Sequence, residues 1–274
     1  DHGHTNPLVP TMVKVWQIVE ETPDVKTFYV TTEDGLPFKV MPGQLAMVSQ
    51  LPVGEGMFSV SWQAEDHLQF AIKKVGLLTE ALHDIEVGQI LGVRGPYGNG
   101  FPVDECKGKD MLFIGGGIGL APLRSFIKYC FTHRQDYGKI KILYGSRSYD
   151  DLCFKKELFE EWPQVPDCEV FVTIDNPEEK WDGHVGFVPA YLEELNPSPE
   201  GTIAVTCGPP IMIKFVLQAL EKMGYTDEQV ITTLEMRMKC GIGKCGRCNI
   251  GSDYICLDGP VFTLAQLRKL PPEW

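Results

Sequence analysis

No stretch of about 18 consecutive apolar residues occurs in the chain, so no segment reads as a membrane-spanning helix. Positive charge is in short supply: 25 Lys and Arg stand against 37 Asp and Glu, a formal net charge of −12. A nucleic-acid binder needs a basic footprint to displace phosphate counterions, and an anionic membrane surface selects the same sign. Neither is expected as a partner. The first residues, Asp1-His2-Gly3-His4-Thr5-Asn6-Pro7, have neither the basic nor the apolar region of a signal peptide, which points to a cytoplasmic protein. Internal repeats and low-complexity tracts are absent. No Ser/His/Asp set or carboxylate pair of the kind used in hydrolysis stands out, and the histidines at 2, 4, 67, 83, 133 and 184 are scattered. What is there is an ordinary globular composition, 43% hydrophobic and 23% charged over 274 residues, enough for two domains and a small third.

Cysteine is the exception to this ordinariness. Of nine, five are scattered (Cys106, Cys130, Cys153, Cys168 and Cys207) and four cluster near the C-terminus (Cys240, Cys245, Cys248 and Cys256). A disulfide-stapled secreted scaffold is small and cysteine-dense throughout, so this distribution reads as a reducing compartment with one four-thiolate ligand set. The spacing Cys240-x4-Cys245-x2-Cys248, then seven residues to Cys256, is that of a plant-type [2Fe–2S] site. Gly241, Gly243, Gly246 and Gly251 suit a chain that wraps closely around an inorganic core with its N–H groups turned to sulfur. A structural zinc site is the alternative, although zinc knuckles favour paired C-x2-C units. Around these ligands the charge reverses: Arg237, Lys239, Lys244 and Arg247 face only Glu235. Those cations either compensate an anionic cluster or form a docking surface for an acidic partner.

Residues 1–104 are β-rich. Met12–Val19, Val25–Thr31, Leu45–Ser49, Phe58–Ser61, Leu68–Ile72 and Gln89–Val93 are short β-branched and aromatic runs separated by turn signals, including one over residues 52–56. They predict a closed antiparallel barrel. Residues 105–225 alternate in type, with strands at Met111–Ile114, Lys139–Tyr144, Glu169–Ile174 and Thr202–Thr206 and helices to about 133, at 152–162, 188–195 and 211–223. This predicts a parallel sheet with helices on both faces. Residues 226–274 form the small third unit, with a short helix near 263–269.

Gly115-Gly116-Gly117-Ile118-Gly119 follows a strand and opens a helix, a setting in which backbone N–H groups can hold a pyrophosphate. Pro122 stands where the third glycine of the dinucleotide fingerprint would be, so a plain tight turn is the alternative. Ser146 and Arg147 end the next strand, where a ribose or its 2′-phosphate is read; Asp150 and Asp151 follow, and NAD and NADP both remain open. Cys207-Gly208-Pro209-Pro210 ends a further strand and could bring Cys207 to a planar ring, or leave it a buried thiol. Gly76-Leu77-Leu78-Thr79 reads as a helix start with Thr79 as N-cap.

Taken together, these motifs resemble the ferredoxin–NADP reductase superfamily over nearly the whole chain. Within it, the chain is similar to electron-transfer subunits of dihydroorotate dehydrogenase and to gamma subunits of multi-subunit hydrogenases and sulfhydrogenases. The residues carrying the resemblance are Pro42-Gly43-Gln44, Phe58-Ser59-Val60, Gly76–Thr79, Gly95-Pro96-Tyr97-Gly98, the 115–122 loop, Cys207–Pro210, and the cysteine set followed by Asp258-Gly259-Pro260-Val261-Phe262. The resemblance implies that Phe58, Ser59 and Val60 hold an FAD. The arginine that usually accompanies that segment is replaced by Gly56, so the flavin must rely on Gly76, Leu78, Thr79 and Lys73 or Lys74. It further implies that residues 115–122 and 207–210 bind NAD(P)H, with Cys207 beside the reacting ring, and that the four clustered cysteines ligate a [2Fe–2S] centre. The implied function is a subunit passing hydride from NAD(P)H to FAD and single electrons onward to a catalytic or electron-carrier subunit, in a hydrogenase-like or electron-bifurcating complex. A stand-alone reductase for a diffusible acceptor, or the electron-transfer subunit of a dihydroorotate dehydrogenase, is the alternative.

Overall fold

The computed structural model describes residues 6–234 and 237–271. In the N-terminal part, β1 (Thr11–Thr22), β2 (Val25–Thr31), β3 (Leu45–Gln50), β4 (Gly54–Ser59), β5 (Trp62–Gln63), β6 (Leu68–Lys73) and β7 (Ile90–Tyr97) form one sheet, with helix α1 (Leu77–His83) between β6 and β7. Alternating burial along β1 and β2 turns Val13, Val15, Phe28 and Val30 onto one face, where they meet Phe70 and Leu91. The strand order is β4-β3-β7-β1-β2-β6-β5, antiparallel throughout, giving the expected barrel-like domain with β4 and β5 at the ends of the order. One strand begins earlier than its composition suggests. Residues 54–56 were expected to be turn, yet they pair with β3 through Val48 opposite Gly56 and Gln50 opposite Gly54. Ladder hydrogen bonding overrides the poor strand propensity of glycine there.

The second layer follows from β8 (Asp110–Gly116), α2 (Leu120–Thr132), β9 (Ile140–Ser146), β10 (Cys168–Ile174), β11 (His184–Val185), α3 (Val188–Leu195), β12 (Thr202–Cys207), α4 (Pro210–Lys222) and β13 (Val230–Thr233). Its sheet is parallel in the order β11-β10-β9-β8-β12-β13, as the alternation of elements requires. Adjacent residues face opposite cores: Phe113 and Ile142 pack with Phe126 of α2, while Ile114 and Leu143 pack with Leu192 of α3 and Val216 of α4. Residues 152–162 were expected to be an α-helix. Instead a wide π turn at Glu157–Glu161 runs into a 3-10 turn at Trp162–Gln164. Pro163 lacks the N–H to continue a regular helix, and the widened turn buries Leu158 and Trp162 while Glu157 reaches back to α2.

The C-terminal stretch carries β14 (Asn249–Ile250), β15 (Asp253–Tyr254), α5 (Ile255–Asp258), β16 (Val261–Thr263) and α6 (Leu264–Leu267). β16 returns to pair antiparallel with β13, so the cysteine loop is held between two strands of the second sheet. A buried polar network joins the two large layers. Arg124 of α2 makes a two-pronged pair with Glu157 at 2.7 Å and donates to Gln69 of β6 at 2.8 Å.

Candidate functional site

The carboxyl ends of β8, β9, β10 and β12 open onto a cleft of about 1020 Å³, the position where parallel α/β sheets take ligands. Gly116, Gly117, Ile118 and Gly119 line it, as do Ser146, Arg147, Gly208 and Pro209. The barrel contributes Asp24, Val25 and Lys73 to its wall, with Lys73 paired to Asp24 at 3.5 Å. Gly117 sits at φ +54° with open space beyond its Cα, and Tyr144 donates its hydroxyl to the Gly117 carbonyl at 2.8 Å. Gly119 is there for closeness: a Cβ would lie 2.5 Å from the Cys207 carbonyl oxygen and 2.6 Å from Gly208 Cα. Gly115 lies in β8 beneath the turn, and Pro122, in the first turn of α2, accepts Ser125 Oγ at 2.8 Å. Gly119→Ala must push the 116–119 and 207–210 loops apart, an overpacking cost of about 1–3 kcal/mol, and a displacement near 1 Å at a reacting pair can cost roughly a hundredfold in rate. Stopped-flow NAD(P)H oxidation is the check, with a slowing of about tenfold or more expected. A rate equal to that of the parent chain would remove the loop contact from the site.

Cys207 itself is 2% exposed, with its Sγ 3.3 Å from Thr233 Oγ1, while the neighbouring Gly208 and Pro209 face the cleft. At the far end, Arg147 is exposed, and Ser146 donates its hydroxyl to the Ser148 carbonyl at 2.7 Å. Asp175, which the sequence reading missed, lies beside them. Burial pushes its carboxyl upward and the Arg147 charge opposes that shift. Its place at the carboxyl end of β10 is the signal that could have found it.

The predicted flavin residues gather elsewhere. Phe58 and Leu78 pack together against the barrel core, Ser59 is half-buried and Val60 is buried. A side chain at Gly56 would start 2.9 Å from Leu78 Cδ2 and 3.2 Å from the Phe58 ring, so an arginine here would need both side chains to shift. Thr79 is not the N-cap. Gly76 holds that place, and Thr79, three residues into the start, accepts the Val75 and Gly76 N–H groups at 2.8 and 2.9 Å. Sequence reasoning misplaced the cap because threonine's hydroxyl can serve either end of the same turn. Leu77, Leu78 and Thr79 open α1, so their N–H groups lie at the end of the helix that favours an anionic group.

The cysteine loop is built around sulfur acceptors. Cys240 Sγ receives N–H donation from Ile242, Lys244 and Cys245 at 3.4, 3.3 and 3.5 Å, and Cys256 Sγ receives it from Gly243 at 3.2 Å. Burial resists ionisation of Cys240, but these donors outweigh it and bring the thiol down to about 6. Burial, with Cys248 and Cys240 close by, pushes Cys256 up to about 12. Cys248 and Cys256 are buried with Ile250, Ile255 and Phe262, whereas Cys245 faces outward. Gly243 sits at φ +69°, a conformation that favours glycine, and a side chain there would also collide with Leu257. Among the described residues no three His, Cys, Asp or Glu side chains converge on a single ion. The fit of this loop to a cluster rests on its N–H···S donors, which shield thiolate charge without adding bulk.

Comparison with known proteins follows this division. Residues 113–218 match the oxidoreductase NAD-binding domain family, and residues 235–268 match the iron-sulfur cluster binding domain of dihydroorotate dehydrogenase B. The sulfhydrogenase 1 subunit gamma of Pyrococcus furiosus is 38% identical, with 97% of this chain and 94% of that protein aligned. A Thermococcus kodakarensis protein named as a dihydroorotate dehydrogenase B electron transfer subunit is 35% identical over 93% of this chain and 95% of its own. The solved structure of an NADH-dependent reduced ferredoxin–NADP oxidoreductase superposes with a TM-score of 0.78 at 23% identity, covering 98% of this chain and 91% of that one, a likeness of fold.

Proposed function

Because the chain belongs to the ferredoxin–NADP reductase superfamily, in the family of sulfhydrogenase gamma subunits and dihydroorotate dehydrogenase electron-transfer subunits, we propose that it is the electron-transfer subunit of a hydrogenase-type or electron-bifurcating complex. The observation that carries this reading is the order of the sites. A dinucleotide-sized cleft opens beside the barrel, and the cysteine loop is fastened to the barrel by Gly98 N–H donating to the Cys256 carbonyl at 3.0 Å and Asn99 N–H to the Gly259 carbonyl at 2.7 Å.

When bound, a flavin supplies the conversion of hydride to single electrons and a [2Fe–2S] cluster carries them one at a time. The chain's own residues position and screen. The N–H groups of the 116–119 loop take a pyrophosphate, and Ser146 and Arg147 take the ribose end. Gly208 and Pro209, above Cys207, bound the nicotinamide. Phe58, Ser59 and Val60 bound the flavin ring, while the α1 turn at Gly76, Leu78 and Thr79 receives its phosphates in place of an arginine. Lys73 stands at the cleft wall, where its charge reaches either nucleotide. Cys240, Cys245, Cys248 and Cys256 hold the cluster, with Cys245 on the outer side.

Anaerobic addition of NADH or NADPH to the purified chain tests the reading. Bleaching of flavin absorbance followed by the electron-spin signal of a reduced cluster is expected, and affinity capture should return a redox partner. A pure sample with neither flavin absorbance nor iron would overturn it.

The exit face makes a second prediction. Arg237, Lys239, Lys244 and Arg247 are exposed, and among the described residues none has an ion-pair partner. Lys244→Glu with Arg247→Glu is expected to slow delivery to an acidic partner by about tenfold at low salt and to flatten its salt dependence. Unchanged delivery with a lowered cluster potential would mean that these cations serve only to offset cluster charge.

A further inference from the structure

The Arg94 side chain is 4% exposed, and all five of its N–H donors are used. Nε and one Nη2 hydrogen go to Glu55 at 3.1 and 2.8 Å; the other Nη2 hydrogen goes to the Lys239 carbonyl at 3.0 Å; Nη1 donates to the Tyr97 hydroxyl and to the Cys240 carbonyl, each at 2.7 Å. An ion pair serving only to close the sheet would need Glu55 alone. Here two donors leave the barrel for the peptides on either side of the first cysteine ligand.

The loop's own chemistry explains the need. Its N–H groups at 242, 244 and 245 are turned inward to Cys240 Sγ, so its carbonyls must find donors elsewhere. Arg94 supplies them at Lys239 and Cys240. Tyr97 adds shape: its ring would meet any side chain at Gly241 at 3.0 Å, and its hydroxyl donates to the Pro7 carbonyl at 2.6 Å. Glu55 lies on β4, the strand that also carries Phe58. One buried guanidinium therefore ties the proposed flavin strand to the first cluster ligand.

We propose that Arg94 is a positioning residue for the cysteine loop, fixing Cys240 against the flavin barrel and placing a buried positive charge beside that ligand. The inference rests on the cluster-binding reading above. Its test uses the full chain, before and after iron–sulfide reconstitution, as parent, Arg94→Met, Arg94→Lys and Glu55→Gln. Before iron is added, Arg94→Met is expected to raise amide hydrogen exchange at residues 239–243 by about tenfold or more, the scale of losing hydrogen bonds from a charged donor. After reconstitution, its cluster is expected to show a lowered midpoint potential and a broadened electron-spin spectrum. Arg94→Lys keeps the charge without the five-donor fork, so it should restore the potential and leave exchange fast. Glu55→Gln loosens the same clamp from its less buried end and serves should Arg94→Met not fold; it should give faster exchange in the same segment. Parent-like exchange, spectrum and potential in the folded variants would overturn the proposal. A parent chain that takes up no cluster would overturn the function reading, while the exchange measurement still decides the clamp.

Discussion

Cys248→Ser is expected to abolish iron–sulfur absorbance and to cut one-electron delivery by more than about a hundredfold, beyond the 10–100-fold that loss of an outer-shell partner costs at a metal site. NAD(P)H-driven bleaching of the flavin should persist. Cys248 is 2% exposed and packs beside Cys256, Ile250 and Phe262, so water cannot stand in for the missing thiolate. A serine hydroxyl stays protonated at neutral pH and is a harder ligand than sulfur. Because ligand binding and loop folding are linked, the variant should also melt earlier than the parent. Cys106→Ser is the matched control. Its thiol is equally buried and pushed up to about 12, inert packing in the second layer far from the loop in sequence. Iron and sulfide analysis, read beside the spectra, decides the matter: full iron in the Cys248 variant would take that residue out of the ligand set, and equal iron loss in the Cys106 variant would trace the effect to general instability.

The two layers were readable in the sequence because each has its own period. Short alternating runs gave the barrel, and the strand–helix alternation gave the parallel sheet with nearly the observed ends at Val188–Leu195 and Thr202–Cys207. Local chemistry misled where one residue type can do two jobs. Thr79 caps from inside the turn, Gly54 and Gly56 pair as strand, and the stretch expected as a helix over 152–162 carries a π turn whose Glu157 pairs with an arginine of α2. The cysteine spacing pointed to the loop, since sulfur ligands must lie within a few residues of one another around a compact core. What holds the loop in place was not legible. Arg94 and Asn99 are ordinary residues in sequence, and their partners at 239–240 and 258–261 lie about 140 to 160 residues away. Asp175 and Lys73 meet the cleft in the same way, through topology and not through a motif.

That dependence on distant partners is strongest at the joint between the layers, where Glu157→Gln is expected to cost about 3–5 kcal/mol at neutral pH, the range for removing one member of a buried ion pair. Arg124 is 4% and Glu157 11% exposed, and the variant leaves the buried guanidinium without its carboxylate, with the neutral Gln69 of the barrel as an acceptor. Burial works to raise the Glu157 carboxyl, but the hydrogen bonds and charge of Arg124, with help from Lys128, hold it below the ordinary value of 4.5. A depressed acid stabilises the fold above its unfolded value and loses that contribution as pH falls through the lower, folded one. The gap between parent and Glu157→Gln should therefore be full near pH 7 and close as the medium is acidified below about 4.5. Glu21, nearby, carries the opposite sign. Burial raises its carboxyl despite donation from Thr27 Oγ1 at 2.8 Å and Phe154 N–H at 3.1 Å, so its ionisation weighs against the fold as pH rises. Glu21→Gln should thus be tolerated best at neutral pH, where Glu157→Gln is worst. Urea unfolding of both variants across the acid range reads this directly, and parallel curves for parent and Glu157→Gln at every pH would sink the linkage. Arg124 lies on α2, which opens at the glycine loop, while Gln69 belongs to the barrel. Loosening Arg124 is therefore expected also to weaken NAD(P)H binding without touching any residue of the cleft, since Arg124 links the helix behind the glycine loop to the barrel through Gln69.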